Sequence, residues 1–246
     1  MGEAALWGAV GASALVIAAE VAFAFKLSRR VIGLIMAFGV GALISSVSFE
    51  LIAPAIETIE TWQVGVGLAA GAIVFFLGDR YVASLGGGKR KNPEGGSDEE
   101  GGDSGLGIVL GTALDGIPES VVLGMSLVGG GGVSLSLLAG VWLSNFPESL
   151  GGSVNMLKSG WSEGKVRLLW WSILAVSAVA AAIGFAALEA SSTLTGGLVE
   201  AFAAGALLAM IADEMAPEAF DRASIYAGLA TVGGFALALW LTTFEM

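Results

Sequence analysis

Asp-Gly-Ile-Pro-Glu-Ser at 115–120 and Ser-Asn-Phe-Pro-Glu-Ser at 144–149 each set a proline and a carboxylate in the middle of an apolar stretch long enough to cross a bilayer. A charged side chain at that depth is costly, and it usually lines a path for something polar. Proline lacks a backbone donor, so it frees the carbonyl four residues earlier: Leu114 in the first string and Leu143 in the second. Interrupted helices at mid-membrane are where transporters place ion sites. The two strings predict an all-α polytopic membrane protein with broken fourth and fifth spans that carries a cation.

Composition agrees with a membrane class. The chain has 246 residues, 55% of them hydrophobic, with 38 glycines and a mean hydropathy of +0.83. A soluble domain needs a mixed surface and does not sustain such runs. A bilayer core takes ~20 apolar residues per helix. Eight such windows fit, near 4–25, 31–55, 63–84, 106–129, 132–156, 167–189, 195–216 and 224–243. Small residues such as Gly39-Val40-Gly41-Ala42 and Gly205-Ala206 suit close helix contact in lipid. Trp7, Trp62, Trp161, Trp170, Trp171 and Trp240 fall near window ends and read as interfacial anchors.

The chain has no cysteine and no histidine. That excludes disulfides, thiolate or imidazole ligands and the usual catalytic triads, so no enzyme activity is expected. No phosphate-cradling Gly-x-x-x-x-Gly-Lys-Ser/Thr string occurs, which argues against nucleotide use. A net charge of -11 argues against nucleic acid as a partner. The first window lacks a basic flank and reads as a retained helix rather than a leader.

All eleven Lys and Arg residues fall in alternate connections: Lys26, Arg29 and Arg30; Arg80, Lys89, Arg90 and Lys91; Lys158, Lys165 and Arg167; and Arg222. The positive-inside rule then puts both termini outside and the 86–105 loop in the cytoplasm of a cell-membrane protein. That loop is Gly-rich and charged, cannot bury a core, and reads as a flexible linker. It separates helices one to three (1–85) from helices four to eight (106–246) within one membrane domain.

Asp115 and Glu119 are four residues apart and share a helix face; Ser144 and Glu148 repeat the spacing, with Asn145 one position round. Facing helices would bring Asp115, Glu119 and Glu148 together. Three carboxylates in a dry pocket cannot all ionise without a cation. A divalent ion would convert them, with the Asn145 amide and the freed carbonyls, into a hard oxygen site. A proton relay is the competing chemistry. Glu50 in the second helix, near Ser45, Ser46 and Ser48, is a candidate for the way in; Asp213, Glu214 and Glu218 near the end of the seventh are candidates for the way out. Glu20 and Glu200 read as satisfied by hydroxyls or water.

Eight helices, external termini, a long loop after the third helix and Pro-Glu strings on the fourth and fifth resemble the ZIP family of divalent-metal transporters, over essentially the whole chain. The resemblance implies a permease moving zinc, iron, manganese or a similar ion toward the cytoplasm as its substrate, with no organic cofactor. It implies metal ligands at Asp115, Glu119, Asn145 and Glu148. Asp115 stands where the family has histidine, Gly116 where it has asparagine, and Ser177 near a glutamate of the sixth helix. Asp213-Glu214-Met215-Ala216-Pro217-Glu218 resembles the His-Glu-x-x-Pro-Glu exit segment, with aspartate for histidine. A single oxygen-rich site is the expectation, and the absence of imidazole shifts the preferred metal toward Mn²⁺, Fe²⁺ or Mg²⁺. Partners are the metal, the bilayer and, as an open assembly, a second copy. Two alternatives stand beside this: a regulatory relative with a weakened site, and a proton-linked carrier of another small solute.

Overall fold

The computed structural model describes residues 1–25, 27–84, 104–128 and 132–243; the side chains of 104–110, Thr112 and Asp115 lie outside that description. Among the described residues every element is helical. In chain order these are α1 (Gly2–Ala24), α2 (Arg29–Ser46), α3 (Ala53–Thr58), α4 (Thr61–Ser84), α5 (Ser104–Met125), α6 (Leu135–Lys158), α7 (Glu163–Glu189), α8 (Thr193–Met210), α9 (Ala216–Ala223) and α10 (Ala227–Thr242). The linker expected at 86–105 falls outside the described residues except for its end, where α5 already begins at Ser104.

Serine sets three of the helix starts. The hydroxyls of Ser28, Ser134 and Ser192 accept from the amides of Val31, Leu137 and Thr195 at 3.3, 3.1 and 3.3 Å. Each satisfies a donor that the first helical turn leaves without an internal partner.

Five helical tracts are long and apolar enough to cross a membrane: Gly2–Ala24, Arg29–Thr58, Thr61–Ser84, Glu163–Glu189 and Thr193–Thr242. The last is 50 residues long and would reach about 75 Å if straight, more than twice the ~30 Å of a hydrocarbon core. It does not run straight. Ser224 takes a φ of 54° and leads into a 3₁₀ turn at Ser224–Tyr226, where the chain changes course between α9 and α10. The left-handed region is unusual for a residue with a β-carbon and marks a real turn.

α6 is absent from those five. Ser136, Ser144, Asn145, Ser149 and Ser153 lower its hydropathy, and all five are buried. It packs against α1 on one side and α2 on the other, with α5, α7 and α10 also in contact. The polar helix is thus the wrapped one. Around it, large apolar side chains such as Trp62, Ile73, Leu77, Leu168, Val179, Leu229 and Val232 stand exposed on α4, α7 and α10. An outward apolar surface of that extent suits lipid rather than water.

Three helix pairs pack at backbone distance through reciprocal glycines. A β-carbon at Gly41 would collide with the Thr231 carbonyl, and one at Gly234 with that of Phe38, which joins α2 to α10. Gly71 and Gly205 make the same exchange with Phe202 and Leu68 between α4 and α8, as do Gly124 and Gly184 with Ala181 and Val121 between α5 and α7. Contacts one or more turns earlier fix the direction: Arg30 lies by Tyr226 ahead of the Gly41–Thr231 contact, Gly67 by Leu198 ahead of Gly71–Phe202, and Gly116 by Ser177 ahead of Gly124–Ala181, so each pair is parallel. The α1–α7 contact is antiparallel: Gly8 meets Ala181, whereas Glu20 meets Arg167. Apolar packing among them centres on Val40, Leu43, Leu51, Phe75, Val122, Leu137, Leu207 and Met210.

Among the described basic residues, Arg29, Arg30, Arg167 and Arg222 gather at one end. Arg29 pairs with Asp221 at 2.6 Å, Arg30 lies over the Tyr226 ring, and Arg167 grips Glu20 through Nε and Nη2 at 2.6 and 2.9 Å. Contacts of Glu50 with Ser136, and of Thr58 and Ile59 with Gly197, mark the opposite end.

Trp170 departs from its expected role as an interfacial anchor. It is 1% exposed and donates to Ser153 Oγ at 2.8 Å, so it fills the core between α6 and α7. Glu20 likewise has a basic partner, Arg167, rather than hydroxyls or water. Both misreadings have one cause: an end-of-window position does not reveal which neighbour the helix turns toward.

Candidate functional site

The two Pro-Glu strings lie on α5 and α6, and neither helix is interrupted. α5 runs through Pro118 and α6 through Pro147 without a break. Regular geometry gives way elsewhere: Val47–Ile52, between α2 and α3, and Ile211–Met215, between α8 and α9, are π-helical. Each π segment is followed at once by Ala-Pro, Ala53-Pro54 and Ala216-Pro217. Proline removes the α-type bond to the carbonyl four residues back, Glu50 or Asp213, and a widened turn is one way to accommodate the loss. π segments of this kind occur often at functional sites.

On α6 the carbonyl freed by Pro147 is not turned toward a cavity. A β-carbon at Gly39 of α2 would lie 3.0 Å from Leu143 O, so the bare glycine backbone covers that oxygen. Contact of an α-carbon hydrogen with a carbonyl is a weak but recurrent helix-packing interaction. Leu143 therefore belongs to packing, against its expected place among the ligands.

Glu119 is 3% exposed, and Ser144 Oγ lies 2.8 Å from its Oε1. The same Oγ lies 2.8 Å from the Val141 carbonyl. One hydroxyl hydrogen faces two acceptors, so Ser144 serves one of them fully only at the expense of the other. Next to it, Ser120 donates to the Gly116 carbonyl at 2.7 Å. Asn145 is buried, and Glu148 is half-buried one turn along α6 from Ser144. Across from α5, a β-carbon at Gly116 would lie 4.0 Å from Ser177 Oγ, which places buried Ser177 of α7 at the level of the Pro-Glu string.

Asp115 shares the backbone of α5, but its side chain lies outside the described residues. Among the described residues, no three Asp, Glu, His or Cys side chains gather at one point. Among the described contacts, the structure joins Glu119 to the hydroxyl of Ser144.

The outlying candidates sit at the two ends. Glu50, half-buried in the first π segment, accepts from Ser136 Oγ at 3.2 Å, and Ser136 is 3.1 Å from Ser134 Oγ at the start of α6. Ser46 and Ser48 do not face that chain, since they bond back to the Ala42 and Ile44 carbonyls. Ser45 is fully buried, with no partner for its hydroxyl among the described residues. In the second π segment Asp213 is exposed and Glu214 half-buried. Glu218, on α9, pairs with Arg222 one turn later.

Sequence reasoning missed the spacing that links these points. Ser136, Gly140, Ser144 and Glu148 fall at four-residue intervals on α6, with Gly151 one turn further. The stripe meets Glu50 at Ser136, Glu119 at Ser144 and Arg222 at Gly151. Only small or acidic residues occupy it. The four-residue period was visible in the sequence; what each position faces was not.

Comparison with known protein families and with curated proteins finds no match to this chain.

Proposed function

We propose that this chain is a ZIP-like permease that passes a divalent metal cation across the membrane along the α6 stripe. The observation that carries the reading is Glu119, buried to 3% and joined to Ser144 of a second Pro-Glu helix at 2.8 Å. A buried carboxylate must be paired, protonated or coordinated. Asp115, Asn145 and Glu148 complete the ligand set in this reading, Glu50 and Ser136 receive the ion, and Asp213, Glu214 and Glu218 release it. The helix directions support eight spans. α2 with α10, α4 with α8 and α5 with α7 are parallel and α1 with α7 antiparallel, as strict alternation through eight crossings requires. In that reading the basic end is cytoplasmic and both termini lie outside. All-oxygen ligands favour Mn²⁺ or Fe²⁺ over Zn²⁺.

The test is uptake of Mn²⁺ into proteoliposomes holding a fluorescent chelator, with Glu119→Gln as the paired variant. Uptake by the parent chain and none by a correctly folded Glu119→Gln supports the reading; equal uptake by both removes Glu119 from the path. Uptake should also fall as the pH is lowered, because carboxylate ligands bind metal only when deprotonated and protons compete for them.

One observation favours a second reading, a proton-linked carrier of another solute: the shared hydrogen of Ser144 suits a carboxyl that gains and loses a proton. Proton flux without metal uptake in the same vesicles would select it.

A further inference from the structure

Among the described ion pairs, Arg222 is the most enclosed cation. Its side chain is 12% exposed, whereas those of Arg29 and Arg167 are 51% and 40% exposed. Two glycines make the room. A β-carbon at Gly33 of α2 would lie 2.5 Å from Arg222 Cβ, and one at Gly151 of α6 would lie 3.2 and 3.3 Å from Nη1 and Nη2. The guanidinium therefore rests on α6 where the stripe ends, three residues past Glu148 and on the same helix face. Arginine stays protonated in any protein environment. A fixed positive charge thus stands across the basic end of a line of small and acidic residues. Its carboxylate partner, Glu218, is 44% exposed and bonds Nη2, one of the two nitrogens that face Gly151.

We propose that Arg222 is the charge gate of this path. It repels cations from the stretch between Glu148 and the basic end while Glu218 holds the guanidinium at Gly151, and it opens when a departing cation takes Glu218 from it. A cation leaving the site would exchange with Arg222 for the same carboxylate, which couples release to closure. This rests on the transport reading above, but its test does not depend on transport.

Because the chain has no cysteine, Ser144→Cys supplies a single thiol beside Glu119. Its reaction with cationic trimethylammonioethyl and anionic sulfonatoethyl methanethiosulfonates, applied from the basic end in oriented proteoliposomes, measures charge selection along the intervening path. The ratio of the two rates, normalised to a free thiol, should rise about tenfold in Arg222→Gln (1.4 kcal/mol) and return in Arg222→Lys. Glu218→Gln, which removes the carboxylate that offsets the guanidinium charge, should lower it. An unchanged ratio in folded Arg222→Gln overturns the gate, as does a thiol unreachable from that end in every variant. Should Arg222→Gln fail to fold, the Glu218→Gln ratio decides alone. Mn²⁺ uptake by the cysteine-free chain separates the two ideas. A shifted ratio without uptake refutes transport and keeps the charge filter; uptake with an unshifted ratio refutes the gate and keeps transport.

Discussion

The helices that carry Pro118 and Pro147 stay regular, whereas the tracts that carry Pro54 and Pro217 widen into π turns. All four prolines stand in apolar helices near a carboxylate: Glu119 and Glu148 follow theirs by one residue, Glu50 and Asp213 precede theirs by four. The difference lies in what covers the backbone. At Pro147 the freed Leu143 carbonyl is capped by the bare α-carbon of Gly39, so α6 needs no adjustment. At Pro54 and Pro217 the freed carbonyls are those of the acidic residues themselves, and the helix loosens around them. The regular pair keeps Glu119 buried; the loosened pair sets Glu50 and Asp213 near the two ends, where the proposed path would let an ion gain or lose its water.

The sharpest way to break this contrast is at the centre. Glu119→Gln keeps the volume and removes the charge, and uptake should drop more than about 100-fold, since even residues that only support a metal ligand cost 10–100-fold when lost. Glu50→Gln, at the loosened end, should raise the half-saturating Mn²⁺ concentration with little loss of maximal rate. Equal effects at the two positions would dissolve the distinction.

Next in size is the cap on α6. Gly39→Val places methyl groups where Leu143 O and Ser144 N now lie against α2, with even a β-carbon already 3.0 and 3.1 Å away. Overpacking of this kind costs about 1–3 kcal/mol. A matching fall in thermal stability, together with slower uptake as Ser144 moves from Glu119, is the expected result. Stability equal to that of the parent would show that the carbonyl is not covered as described.

A smaller effect is expected of Ser136→Ala, which removes the hydroxyl that Glu50 accepts from at 3.2 Å. A hydrogen bond to a charged group contributes about 1.5–3 kcal/mol, less where water competes. The change should appear in half-saturation and leave the maximal rate within twofold of the parent, measured on the same vesicles. The smallest effect belongs to Glu20→Gln: its pair with Arg167 is nearly half exposed, and exposed pairs contribute little. A melting curve that moves clearly with this substitution would mean the basic end is tighter than its exposure indicates.

Much of this arrangement was legible in the chain. Hydropathy located the helices, because apolar length follows from burial, and four of the arginines that alternate in the sequence lie together at one end. Glu119 and Ser144 stood out because a carboxylate and a proline in an apolar run have no packing reason to be there. Three features were not legible. Whether a proline breaks its helix depends on the neighbour over the freed carbonyl, and Gly39 is 104 residues from Leu143 in sequence. Trp170 and Glu20 depended on helix rotation, which local patterns leave open. Arg222 lies beside Gly33 and Gly151 only after three distant helices have come together.

If Glu119 and Ser144 form the waist of a cation path, the purified protein should bind Mn²⁺ there. Calorimetry in two buffers of different ionisation enthalpy reports both the ion bound and the protons it displaces. The account predicts one ion per chain, released protons near neutral pH, and loss of both signals in folded Glu119→Gln. Binding that persists unchanged in Glu119→Gln, or an absence of binding by the parent chain, would contradict it.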